Sequence, residues 1–207
     1  MSKSENNVAS YAIIGFGKIG RALAKAFARS GIEVLVATTR EPGSFTSDAA
    51  AIGPGIIPTT LAEAVKAEII FLAVGFASHP DVARALPSWH GKTIVDVTNA
   101  YGVSLQKLGS EPSGRVVAQA FTGSRLVKGF NHLAAGILEQ DPAVHGGRRV
   151  VFLASDDDSA ATLIGGLAEK LGFSPINLGG LSQGGLLVHA RGNSWGQLIF
   201  KDLVKFD

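Results

Sequence analysis

The chain has 207 residues, 46% hydrophobic and 17% charged, enough apolar material for a core and too little charge for a disordered polypeptide. It contains no cysteine, which excludes disulfides, thiolate metal sites and a cysteine nucleophile. With 19 Lys and Arg against 17 Asp and Glu the net charge is only +2, so no basic face speaks for nucleic acid.

A chain of this size suits one domain, or one with a small appendage. Residues 1–10 (MSKSENNVAS) are polar and lack the apolar segment of a secretory signal, and read as a flexible tail. The longest apolar stretch, Ala67 to Ala77, is interrupted by Glu68 and falls well short of the roughly 20 residues a membrane helix needs. A soluble, cytoplasmic protein is expected, with no membrane and no nucleic acid among its partners. Glycine stands at 26 residues, far above the average usage of about 7%, and has no collagen-like period. Many tight turns follow.

Tyr11 to Gly15 (YAIIG) is a short apolar run ending in glycine, and a helical pattern covers Lys18 to Ser30. Its apolar residues Ile19, Leu23, Ala26 and Phe27 recur at three and four, and Gly31 stands where a left-handed cap belongs. Ile32 to Ala37 is β-branched and apolar, which completes a βαβ unit. Glu41 to Gly55 reads as a loop with one short helical turn. A third strand is expected at Ile56 and Ile57, with Thr59 or Thr60 capping a helix through Lys66. The alternation goes on with strand Ile69 to Val74, helix Pro80 to Leu86 and strand Thr93 to Val97. After a helix over Ser113 to Phe121, Arg125 to Gly129 is a sixth strand and Leu133 to Leu138 a short helix. Gly146 and Gly147 make a turn into the strand Arg149 to Ala154. Asp156, Asp157 and Asp158 precede a helix over Ala160 to Leu171, where acids suit the positive end of the helix dipole better than they suggest a metal site. Phe173 to Leu178 is an edge strand, and Gly179 to Asp207 holds a further helix.

Gly15, Phe16, Gly17, Lys18, Ile19 and Gly20 spell G-x-G-x-x-G directly after a predicted strand and at the start of a predicted helix. In that context Gly15 makes the tight turn, Gly17 lets the backbone approach a pyrophosphate and Gly20 permits close helix packing. The expected fold is therefore α/β, a doubly wound (Rossmann) mostly parallel sheet with a small C-terminal α/β portion. An NAD site wants an acid about 20 residues past the glycines. Here the second strand ends in Ala37, Thr38, Thr39 and Arg40, twenty residues past Gly20, so two hydroxyls and a guanidinium stand where a 2'-phosphate would lie. NADP(H) is indicated, with Glu41 able to pair with Arg40 or lie against the ribose. Thr98 and Asn99, at the end of the fifth strand, can reach the nicotinamide or serve as ordinary turn residues.

The strings GFGKIGRALAKAFARSG, VATTR, VDVTN, VKGFNHLAAGIL (Val127 to Leu138) and INLGGLSQGGLL (Ile176 to Leu187) resemble the NADP oxidoreductases dependent on the deazaflavin coenzyme F420. They are also similar to the oxidoreductase domain of the six-transmembrane epithelial metalloreductases. The resemblance covers Tyr11 to Leu187, and the VKGFN block is its most specific part. It implies hydride exchange between NADPH and a flavin-like ring, in a chain that commonly forms homodimers. FMN, FAD or a deazaflavin would be the co-substrate, a small-molecule electron acceptor.

Carried onto this chain, the resemblance implies that Gly15, Phe16, Lys18, Ile19, Thr39 and Arg40 hold NADP and that Val74, Gly75, Asn99 and Ala100 line the nicotinamide end. Phe130, Asn131, His132 and Leu133 would face the acceptor, with Leu181 and Ser182 closing the cleft. Residues 11–125 would bind the dinucleotide, and residues 126–207 would complete the sheet, the acceptor cleft and the dimer contacts. The deazaflavin enzymes tend to carry a histidine where Asn131 stands, and here the histidine is displaced to His132. That leaves the acceptor open. Hydride exchange between two rings asks mainly for orientation and desolvation, so His132 is the one candidate catalytic residue, as a donor to the acceptor ring, against a local structural role. Two rivals remain. A hydroxyacid dehydrogenase or imine reductase would use Lys128 and a long helical C-terminal domain, which the strand-like runs of the last third oppose. A non-enzymatic NADPH sensor would bind the dinucleotide without turnover.

Overall fold

The computed structural model describes residues 10–109, 111–189 and 202–206. Six short strands, β1 (Tyr11–Ile14), β2 (Val34–Ala37), β3 (Ile56–Thr59), β4 (Ile69–Leu72), β5 (Thr93–Asp96) and β6 (Arg125–Gly129), run parallel in the order β3-β2-β1-β4-β5-β6. This is the strand order of the doubly wound dinucleotide-binding fold, and it reverses direction between β1 and β4. Between the strands lie α1 (Lys18–Arg29), α2 (Thr46–Ala50), α3 (Leu61–Ala64), α4 (His79–Ala83) and α5 (Ser113–Ala120), followed after β6 by α6 (Ala135–Leu138).

The strands read as continuous apolar runs because both faces of the sheet are covered. Alternate side chains go to opposite sides. Ile13, Phe71, Val95 and Val127 pack with Leu23 and Phe27 of α1, whereas Ala12, Ile14, Ile70, Leu72 and Ile94 pack with Val82, Trp89, Val117 and Phe121.

Beyond β6 the hairpin β7 (Ala143–Val144) and β8 (Gly147–Ala154) turns through His145 and Gly146, both at positive φ, 48° and 87°. β8 lies antiparallel to β6, and after α7 (Asp158–Lys170) the strand β9 (Ser174–Asn177) adds parallel to β8. Asp157 caps α7, its Oδ1 accepting the Ala160 N–H at 2.9 Å, so the acidic run is a helix start. A short α8 (Gly184–Leu187) and β10 (Val204–Lys205) follow, β10 antiparallel to β8. Buried Arg149 fastens β10's approach, its Nε donating to both carboxylate oxygens of Asp202 at 2.8 and 3.0 Å.

Element existence follows the expectation more closely than element limits. β2 starts at Val34 because Gly31, at φ 65°, and the Ile32 N–H bonded to Phe27 O close α1 first. Thr60 Oγ1 caps α3 through the Glu63 N–H at 3.3 Å, but the helix stops at Ala64, short of Lys66. The helix expected over Pro80 to Leu86 is the shorter α4. The expected loop 41–55 contains a 3-10 turn, Pro42–Phe45, and α2. Within 179–207 a strand, β10, accompanies the short helix, while residues 190–201 and the tail 1–9 lie outside the described residues. The sheet continues across residue 125, since β6 pairs with β5 along four residues. Among the described residues no helix is long and apolar enough to cross a membrane.

Candidate functional site

At the end of β1 the chain turns sharply at Gly15, φ 108°, whose N–H donates to Ala37 O at 2.8 Å, while Ala73 N–H donates to Ile14 O at 2.8 Å. The turn is thereby clasped between the ends of β2 and β4. A Cβ at Gly15 would collide with the carbonyl of Ala73, and one at Gly20 with the carbonyl of Gly15. Gly17 differs. It is the N-cap of α1 at φ −77°, and a Cβ there would meet nothing within 4 Å. No side chain caps α1, and its first turn holds no acid. The helix's first N–H groups and the positive end of its dipole are thus offered to an anion.

Beside this turn, β2 delivers Thr38, Thr39 and Arg40. The Arg40 N–H donates to Thr38 Oγ1 at 2.9 Å, and the Arg40 guanidinium carbon lies 5.2 Å from the ring centre of Phe45, a fully buried side chain. Among the described residues no ion pair joins Arg40 to Glu41. Phe45 touches Phe16, ring centres 5.6 Å apart.

These residues meet in one cleft of about 690 Å³ outside the carboxyl ends of β1, β2 and β4, where the strand order reverses. It brings together Gly15, Phe16, Gly17, Thr38, Thr39, Arg40, Val74 and Gly75 of the sequence-predicted set, with Ile14, Leu61, Ala73, Ser78, Asp81 and Val82, which the sequence reading missed. Ser78, Asp81 and Val82 could have been found from topology, because they follow Gly75 on the connection leaving β4, next to β1. Lys18 opens instead on a neighbouring depression with Arg21 and Lys25, and Ile19 packs against the core.

Asn99, expected at the nicotinamide end, and Asn131, expected at the acceptor, join a second, closed polar cluster at the ends of β5 and β6. Asn99 Nδ2 donates to Asn131 O at 2.8 Å, and Asn131 Nδ2 donates to Asn99 Oδ1 at 3.0 Å and to Val188 O at 2.8 Å. Among the described residues Thr98 Oγ1 and Asn131 Oδ1 are buried with no hydrogen-bond partner. Lys128 donates to Asp96 and to the carbonyl of Thr98, and burial holds its pKa below the ordinary lysine range. Ala100 and Leu133 are buried.

Three of the residues expected to face the acceptor are interior. His132 is 7% exposed and is absent from the cleft lining. Its Nε2 donates to Val150 O at 3.3 Å, its ring meets Phe152, and burial pushes its pKa down to about 4, so it is a neutral interior group. Phe130 takes φ 59° and packs between Phe71 and Phe173. Leu181 is buried against the second face of the sheet, near Lys128 and Gly114, while Ser182 is exposed. In each case an apolar or half-polar side chain found more contact inside than at an opening.

Comparison with known proteins follows the same lines. Residues 10–100 match the family model described as NADP oxidoreductase coenzyme F420-dependent. The chain is 30% identical over 173 residues to Metalloreductase STEAP3 of Rattus norvegicus, covering 82% of this chain and 34% of that protein. It is 29% identical over 172 residues to Metalloreductase STEAP2 of Homo sapiens, covering 82% and 33%. The chain therefore spans about a third of the length of these curated relatives. Among solved structures it is similar to the hypothetical protein SMa0349 from Sinorhizobium meliloti, with TM-score 0.87 and 32% identity over 95% of this chain and 96% of that one. It is also similar to an Arthrobacter structure assigned as an F420-dependent NADP-reductase, with TM-score 0.67 and 26% identity over 84% and 86%. A reductive aminase from Aspergillus terreus, 20% identical with TM-score 0.63, shares the fold, and this chain covers 59% of it.

Proposed function

We propose that this chain, whose residues 10–100 match the model of the NADP oxidoreductases dependent on coenzyme F420, transfers hydride between NADP(H) and a flavin or deazaflavin-type acceptor. One observation carries the reading: a single cleft at the sheet's switch point holds both the open backbone at Gly17 and the guanidinium of Arg40, which is unpaired among the described residues. The residues fit the cofactor. The uncapped start of α1 receives a pyrophosphate, and Thr39 with Arg40 receives the 2'-phosphate that distinguishes NADP from NAD. Ile14, Leu61, Val74 and Val82 supply apolar walls that exclude water.

NADPH supplies the hydride from its nicotinamide ring. The chain's part is to bind, orient and desolvate, which accords with a cleft whose charged lining among the described residues is Arg40 and Asp81. Val74 and Gly75, with Asn99 and Ala100 beyond them, are the residues this reading assigns to the nicotinamide end. The working unit is taken to be a homodimer with a small-molecule acceptor. Reduction of metal ions, which the names of the curated relatives state for those proteins, is not carried over to a chain spanning a third of their length.

The test is to mix the purified protein with NADPH and, in turn, FMN, FAD and a deazaflavin, following the absorbance of reduced nicotinamide. Oxidation with at least one acceptor is expected. Measurable NADPH binding with no oxidation by any of them would favour the sensor instead.

A further inference from the structure

We propose that Phe45 is the positioning residue for dinucleotide selectivity, holding the Arg40 guanidinium over its ring at the end of the cleft where the 2'-phosphate lies. This rests on reading the cleft as an NADP(H) site. Phe45 stands in the small, polar segment Glu41 to Gly55 and is nevertheless completely buried, so its ring is fixed by the core while Arg40, five residues before it, is exposed. An exposed arginine on its own samples many rotamers. A ring face 5.2 Å from the guanidinium carbon narrows them.

The manner of holding matters. Attraction to a ring face uses no N–H donor, whereas a carboxylate partner would occupy the planar fork that a phosphate needs. The neighbouring arginine shows the contrast. Arg21 also lies over a ring, 4.6 Å from the centre of Phe16, but its fork is spent on Asp48 at 2.6 Å and on the Phe16 carbonyl at 3.3 Å. Among the described residues, of these two ring-held arginines only Arg40 has its guanidinium donors uncommitted. Thr38 Oγ1 also fixes the Arg40 backbone, accepting its N–H at 2.9 Å. Phe16 links the two platforms, its ring 5.6 Å from that of Phe45.

Dissociation constants for NADPH and NADH are measured on the full chain for the wild type, Arg40→Ala, Phe45→Met and the double variant. Methionine fills a similar volume without a π face. Arg40→Ala should cut the preference for NADPH about tenfold to a hundredfold. Phe45→Met should cut it about two- to fivefold, with NADH binding unchanged, and should have no further effect on the preference once Arg40 is alanine. Pentafluorophenylalanine at position 45 keeps the shape and reverses the ring's charge distribution, and should lower the preference as methionine does, which keeps the test decisive if the methionine variant fails to fold. An unchanged preference in both ring variants, or the same shift with and without Arg40, would overturn the proposal. If Arg40→Ala alone compresses the preference, only the role of Phe45 falls. If the wild type does not distinguish the two dinucleotides, the reading of the cleft falls with it.

Discussion

Lys128 Nζ lies 3.0 Å from Asp96 Oδ2 across the register pair that joins β6 to β5, and both side chains are closed to solvent. The lysine also donates to the Thr98 carbonyl, and the second oxygen of Asp96 accepts the Thr98 N–H at 2.9 Å. The pair thus pins the turn that leaves β5 and carries Asn99 toward Asn131. Lys128 is thereby committed to the fold at the ends of β5 and β6.

Lys128→Met leaves Asp96 buried without its cation, and this should cost about 3 to 5 kcal/mol in denaturant unfolding. Adding Asp96→Asn should recover most of the loss, because the penalty comes from the orphaned charge more than from a missing attraction. Equal midpoints for Lys128→Met and the wild type would show that the pair is relaxed by water.

His132 makes the fold sensitive to acid. Its pKa is pushed down to about 4 by burial, against an ordinary value near 6.5, so below pH 6.5 the unfolded chain binds a proton that the folded chain refuses. Stability should therefore fall as pH drops from about 6.5 to about 4, by about 3 kcal/mol from this residue, and the contribution should level off below that. His189, held down by burial and by the charge of Lys128, acts in the same direction. His132→Gln does not titrate and should lose part of the slope. A wild-type stability flat across that window would contradict the buried neutral ring.

Gly15 and Gly20 are requirements of the fold. Alanine at either would drive a Cβ into a backbone carbonyl, and at Gly15 it would also occupy φ 108°. Both variants should be strongly destabilised, with thermal midpoints well below the wild type or no soluble protein.

Much of this was legible in the residues. The fingerprint, the Arg40 register and the alternating elements locate the cleft because each depends on local spacing. Phe45 was not legible, since a lone aromatic in a polar loop gives no sign of which ring face it shows or to which cation. Nor were the interior positions of His132, Phe130 and Leu181, because the same residue types line openings and fill cores, and tertiary packing decides between the two. β10, two residues long, has no periodicity to read. It exists because Arg149 on β8 meets Asp202.

The central claim is that the cleft beside Gly17 takes the pyrophosphate of NADP(H), and titration of Gly17→Val with NADPH tests it most directly. Its backbone at φ −77° suits any residue and a Cβ meets nothing within 4 Å, so the substitution costs the fold only the N-cap preference, about 1 kcal/mol. The variant should fold, with a thermal midpoint a few degrees below the wild type, and NADPH affinity should fall by more than about tenfold as the side chain fills the approach to the α1 N–H groups. Wild-type affinity for NADPH in a folded Gly17→Val protein would contradict the claim and place the dinucleotide elsewhere.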